Sequence, residues 1–150
     1  MKKFLFVFVL CVIAVACFAQ AASPVKWNFS AKKINATTYE VHLAAKVESG
    51  WHIYSQTTPE GGPVPTSVVF ARNPLLSFDG AIKESGKMEQ HFEQLFGVDV
   101  KQFSNKVDFV QVVKLKVSAK TNVTGSVEFM TCNDTECMPP KTEKFSIVLK

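Results

Sequence analysis

The sequence predicts an all-β antiparallel sandwich. Short apolar–polar alternations recur along the chain with turn residues between them, and no long amphipathic helix interrupts them. Size is the third observation: 150 residues are enough for one domain with its own core, and neither a repeat nor a linker divides them.

The first residues are expected to lie outside that domain. Lys2 and Lys3 precede Phe4 to Phe18, an almost wholly apolar run too short for a comfortable membrane span. Ala19-Gln20-Ala21 then fits a small-x-small cleavage site, so residues 1–21 read as a secretory signal peptide and residues 22–150 as the mature domain. A lipoprotein signal anchored at Cys17 is the alternative, although Ala14-Val15-Ala16 is a weak lipobox. Removing Lys2 and Lys3 lowers the formal charge from +4 to +2, and the remaining lysines are scattered. That distribution excludes a nucleic-acid footprint.

Within the domain, Trp27 and Phe29 alternate with Lys26 and Asn28 as a first strand. Tyr39, Val41, Leu43, Ala45 and Val47 then form one apolar face, with Glu40, His42, Lys46 and Glu48 on the other, the pattern of a half-buried antiparallel strand. Ser49-Gly50 turns the chain into Trp51-His52-Ile53-Tyr54, a strand with a heavy aromatic load. Pro59, Gly61, Gly62, Pro63 and Pro65 make residues 57–65 a loop. Val68 to Phe70 resumes a strand, and Leu75 to Phe78 adds a short one before Asp79-Gly80. Met88 to Gly97 shows no strand alternation and reads as one helical turn or an ordered loop stopped by Gly97. Val107, Phe109, Val113, Leu115 and Val117 share one face of the longest β signal, with Val110 and Val112 opposite, which predicts a central strand. Val127 and Phe129 lead into Met130 to Lys141, and Phe145, Ile147 and Leu149 leave it. The plan is therefore an immunoglobulin-like sandwich whose last hairpin carries Cys132 and Cys137.

Three chemistries are open to that cysteine pair, the only two cysteines outside the signal. A structural disulfide is one, although closing so short a loop supplies only about 2 kcal/mol in the chain-entropy description. A zinc site is the second; it would need ligands among His42, His52 and His91, whose spacing matches no common zinc pattern. A redox pair is the third. It is not of thioredoxin type, because there is no Cys-x-x-Cys and no βαβ unit to set a thiolate on a helix N-terminus. Asp134 and Glu136 place negative charge in the turn and oppose a thiolate, so such a pair would be a poor general nucleophile and a selective two-electron carrier. Outside redox chemistry, the competing function is a non-catalytic binding module with a structural disulfide, using Trp27, Trp51, Tyr54, Phe92 and Phe96 as a contact surface, although Trp27 and Trp51 read first as core. His52 is either a base near the cysteines or a strand residue with its ring on the polar face; the second reading is preferred.

Several stretches together resemble the N-terminal periplasmic domain of the DsbD thiol–disulfide interchange family. They are Gly50 to Ser55, the Gly/Pro-rich loop Glu60 to Pro65, Phe92 to Gly97 and, most specifically, Cys132-Asn133-Asp134-Thr135-Glu136-Cys137-Met138-Pro139-Pro140. The resemblance implies an immunoglobulin-like sandwich in the periplasm with no cofactor or metal. It implies that Cys132 and Cys137 cycle between disulfide and dithiol, with Cys137 forming the mixed disulfide and Tyr54, Pro139 and Pro140 nearby. It further implies that Phe92, Glu93, Leu95, Phe96 and Gly97 form a cap loop over the pair. Pro139 and Pro140, lacking N–H groups, are expected to end strand pairing beyond Cys137. Family members take electrons from a membrane-linked thioredoxin-like donor and pass them to periplasmic thioredoxin-fold proteins, including cytochrome c maturation factors. This sequence departs from the best-known members by one residue fewer between the cysteines and by Met138 where they have Tyr. It reaches Lys150 with neither a multi-span membrane domain nor a thioredoxin domain, so a monomer served by a separate membrane electron-transfer protein is expected.

Overall fold

A computed structural model describes residues 23–150; the expected signal peptide, with Cys11 and Cys17, lies outside them. The described chain contains eight strands and no helix: β1 Val25–Lys33, β2 Thr38–Val47, β3 His52–Tyr54, β4 Ser67–Phe70, β5 Leu76–Glu93, β6 Val98–Leu115, β7 Thr121–Cys132 and β8 Cys137–Leu149. Every pairing is antiparallel. One layer runs β1-β2-β6-β5 and the other β4-β7-β8; the three-residue β3 pairs with both β6 and β7 and joins the layers at one end. The immunoglobulin-like sandwich is borne out.

The alternation of β2 sets the core. Tyr39, Val41, Leu43, Ala45 and Val47 are all buried, and with Phe103, Phe109, Phe129, Phe145 and Leu149 they fill the space between the layers. Full burial of side chains such as Phe109 contributes about 2–3 kcal/mol each. Trp27 and Phe29 pack on this core from β1: Trp27 lies 5.2 Å from Phe129 and Phe29 lies 5.3 Å from Phe145, ring centre to ring centre, so the layers meet through aromatic rings. Trp51 also packs against it. β6 is central as expected, with β5 on one side and β2 and β3 on the other.

Four expectations are corrected. Met88 to Glu93 is strand, the end of an 18-residue β5 paired with β6 through Glu93↔Val98. Most of its side chains are exposed, so there was no buried face to generate an alternation; the backbone ladder with β6 makes the strand. Asp79-Gly80 does not end the strand begun at Leu76 but forms a bulge, Gly80 at φ 70°. Gln111 occupies a buried position of β6 and clamps that bulge, its Nε2 donating to the Asp79 carbonyl at 3.0 Å. Val117, expected on the buried face, lies beyond the end of β6 and is exposed. Pro139 and Pro140 do not end pairing: Thr131↔Met138 is followed by Phe129↔Lys141, so the two prolines are taken up opposite Met130 as a bulge and the ladder resumes. A proline costs a ladder only its own N–H, and a bulge is where that loss is tolerated.

Candidate functional site

The cysteines occupy the last register pair of the β7–β8 hairpin, Cys132↔Cys137, and are bonded, S–S 2.04 Å. The four residues between them close tightly. Asn133 N–H donates to the Glu136 carbonyl at 2.9 Å, while Asn133 Oδ1 accepts from the backbone N–H groups of Thr135 at 2.9 Å and Glu136 at 2.8 Å. The side-chain amide of Asn133 thus does for the turn what further backbone pairing would do elsewhere.

The two sulfurs differ in surroundings. Cys132 is 1 % exposed, whereas Cys137 is only half-buried. Cys132 belongs to a small apolar cluster with Tyr54 and Val100, separate from the main core, against which Val98, Met130 and Cys137 pack. Strand parity explains the separation. Ile53 of β3 points into the main core, so its neighbours His52 and Tyr54 point to the opposite face. Register then aligns His52 with Cys132 and Ser104, Tyr54 with Gln102, and the β5 residues Glu89, His91 and Glu93 with Gln102, Val100 and Val98. One face at the end of the sandwich therefore collects the disulfide, two histidines, a tyrosine and two glutamates. The loop after β3 is tied down by Thr66 Oγ1, which donates to the Tyr54 carbonyl at 2.5 Å, and by Glu84, whose carboxylate accepts from Ser55 Oγ and Gln56 N–H, both at 2.7 Å.

His52 is not on a solvated face, contrary to the preferred sequence reading: it is 7 % exposed because β7 covers one flank of β3 and β6 the other. Its Nε2 lies 3.0 Å from the Tyr54 hydroxyl, and its ring stands edge-on to that of His91 with centres 6.3 Å apart. Burial holds the His52 imidazole below its ordinary 6.5; Glu93, Asp134 and Glu89 pull it up and His91 pushes it down, all by less than burial does. Burial, and then the Glu93 carboxylate, push the Tyr54 phenol well above its usual value, so Tyr54 stays a neutral hydroxyl.

A cleft of about 350 Å³ opens beside the hairpin turn, lined by His52, His91, Glu93, Gln102 and Asp134 and walled by the β5–β6 tip. At that tip the Gly97 N–H donates to the Glu93 carbonyl at 2.8 Å, and Gly97 takes φ 70°, the left-handed turn its lack of a side chain permits. Phe92 is 58 % and Leu95 68 % exposed, and Phe96 is half-buried. The tip thus stands across the cleft from the cysteine turn. Tyr54 lies against the cysteines, while Pro139 and Pro140 line a second hollow with Phe129, Thr131 and Met138. His42, the remaining zinc candidate, is engaged elsewhere, its Nδ1 2.7 Å from Asp108 Oδ2, and among the described residues no group of three or more His, Cys, Asp or Glu is placed to hold a metal. Sequence reasoning passed over Gln102, Val98 and Val100 at this site, and it offered His91 only as a zinc candidate. The Val98–Val100 alternation was visible; which face it served was not.

Fold and site together define an immunoglobulin-like domain with a local disulfide at one end of the sandwich, on the face away from the main core. Solved structures share that fold. The N-terminal periplasmic domain of ScsB from Proteus mirabilis aligns with a TM-score of 0.52 at 17% identity, covering 83% of this chain and 44% of that one, so this chain spans under half of its length. The reduced DsbD N-terminal domain of Neisseria meningitidis gives 0.51 at 16% identity over 75% of this chain and 84% of that one. A DsbD N-terminal domain in complex with the PilB N-terminal domain, also from Neisseria meningitidis, gives 0.52 at 10% identity over 81% and 80%. No curated protein sequence matches. Residues 19–149 match the sequence model of the family described as thiol:disulfide interchange protein DsbD, N-terminal, and the chain belongs to that family.

Proposed function

We propose that this chain is an exported thiol–disulfide exchange carrier that works through reversible opening of the Cys132–Cys137 bond. The observation that carries the reading is the placement of the bond. It lies at the end of a hairpin, outside the main core, with one sulfur enclosed and the other half-buried. A cross-link meant to hold the two layers would join them; this one joins neighbouring residues of a hairpin already paired by its backbone. Family membership supports the same reading.

In this proposal Cys137 forms the mixed disulfide and Cys132 resolves it. The β5–β6 tip, Phe92 to Gly97, covers the pair between encounters and moves aside for a partner, with Tyr54, Pro139 and Pro140 completing the surroundings. The partners are thioredoxin-fold proteins, with a separate membrane electron-transfer protein as donor and cytochrome c maturation factors among the acceptors. The capture of a DsbD N-terminal domain with a PilB domain supports a docking role for the fold. The chain acts as a monomer after cleavage of residues 1–21, in the periplasm, the compartment given for the ScsB domain.

The deciding experiment is the reduction potential of the pair, from equilibration against glutathione or thioredoxin. A value between about −180 and −270 mV, where thioredoxin-like partners exchange, is expected. A value well below about −300 mV would mark a structural bond and return the domain to the binding-module reading.

A further inference from the structure

Resolution of a mixed disulfide requires Cys132 to lose a proton, and Cys132 is enclosed. Its sulfur cannot hand that proton straight to bulk water at 1 % exposure, so a neighbouring group must take it. The apolar members of its cluster, Val100, Val98 and Met130, cannot. Tyr54 is a neutral hydroxyl and a poor base. His52 is directly opposite Cys132 in the β3–β7 ladder, where facing side chains come within about 5 Å at Cβ, and it also lines the cleft that leads to solvent.

We propose that His52 is the general base for Cys132, receiving its proton from one side and releasing it through the cleft on the other. The inference rests on the exchange reading above. In this proposal the Tyr54 hydroxyl, 3.0 Å from Nε2, sets the ring by accepting from Nε2–H, which leaves Nδ1 as the basic nitrogen. The step balances as follows. A partner sulfur is bonded to Cys137 Sγ; the Cys132 S–H proton passes to Nδ1, and the Cys132 thiolate attacks Cys137 Sγ. The Cys132–Cys137 bond forms, the bond to the partner breaks, and the partner sulfur leaves as a thiolate that is protonated from water. The hairpin dithiol has given up two electrons and the partner disulfide has gained them. The imidazolium so formed faces Glu93 and Glu89 on β5 and Asp134 in the hairpin turn, which stabilise it, and His91, also on β5, which drives its proton outward. Held below its ordinary range by burial, His52 is a free base at neutral pH and returns its proton readily.

Stopped-flow reaction of reduced protein with one equivalent of 5,5′-dithiobis(2-nitrobenzoate) separates the steps. Attack by Cys137 releases one thionitrobenzoate, and closure by Cys132 releases the second. His52→Gln is expected to slow the second release at pH 7 at least about ten-fold and leave the first within about two-fold, since a positioned base contributes at least that much. An unchanged second release, or equal slowing of both, overturns the proposal. If His52→Gln does not fold, the wild-type profile decides. The second-release rate should fall below the His52 titration, followed by ring NMR, and level off above it; a rate proportional to hydroxide from about pH 5 to 8 overturns the role of His52. A wild-type protein that never gives the second release would instead sink the exchange reading itself.

Discussion

The two sulfurs of the hairpin sit in unlike environments, and the proposed order of reaction rests on that asymmetry: half-buried Cys137 would meet the partner disulfide and enclosed Cys132 would resolve it. Cys132→Ala should therefore trap a partner covalently through Cys137, and Cys137→Ala should trap far less; non-reducing electrophoresis with a thioredoxin-fold partner reads the difference, and the opposite pattern reverses the assignment. His52 also links the site to stability. Its folded-state affinity for a proton is below that of the unfolded chain, so the unfolded state binds more protons as pH falls through 6.5. Folding is thus penalised on the acid side of 6.5 and unaffected by His52 well above it. The urea midpoint of the wild type should fall relative to that of His52→Gln as pH drops from 7 toward 5; parallel curves would show that the imidazole titrates normally.

The β5–β6 hairpin illustrates how an element is made without a hydrophobic stripe of its own. Among the described residues β5 is paired along one edge only; it carries two bulges and exposes most of its side chains, features that suit an edge strand and discourage further pairing. Its tip carries exposed Leu95 beside half-buried Phe96. If the tip covers the sulfur pair, Leu95→Ala and Phe96→Ala should speed alkylation of the reduced pair by iodoacetamide. The cost in stability should be small, within about 0.5 kcal/mol for exposed Leu95 and about 1 kcal/mol for Phe96. Unchanged alkylation with a loss of several kcal/mol would make the segment core instead. The corresponding element at the other side of the cleft, the Cys132–Cys137 turn, is held by Asn133 through three hydrogen bonds of its Oδ1 and one of its N–H, all made within the turn itself.

For the whole molecule, the layers are held by the aromatic and aliphatic core, and the disulfide lies outside it. Reduction removes the loop-closure contribution, about 2 kcal/mol for so short a loop, from a domain whose several strands are otherwise intact. Thermal melts of oxidised and reduced protein should both be cooperative, with the reduced form a few degrees lower. Unfolding on reduction at room temperature would make the bond structural.

Much of this was legible from local pattern. β2 betrays itself through Tyr39, Val41, Leu43, Ala45 and Val47 because one of its faces is wholly buried and the other is not, and a period of two is the direct record of that difference. The cysteine hairpin is equally local: a polar turn between two cysteines, flanked by alternating Val127, Phe129, Phe145 and Ile147, needs no distant partner to be recognised. Tertiary structure decided what depends on neighbours distant in sequence. Residues 88–93 became strand because β6 offered its backbone, and Pro139 and Pro140 stayed within a strand because a bulge opposite Met130 absorbed them. His52 became buried opposite Cys132 because a three-residue strand was inserted between β6 and β7. Eighty residues separate that pair in the chain. No local periodicity encodes register across such a distance; it is set only when both layers close on the common core.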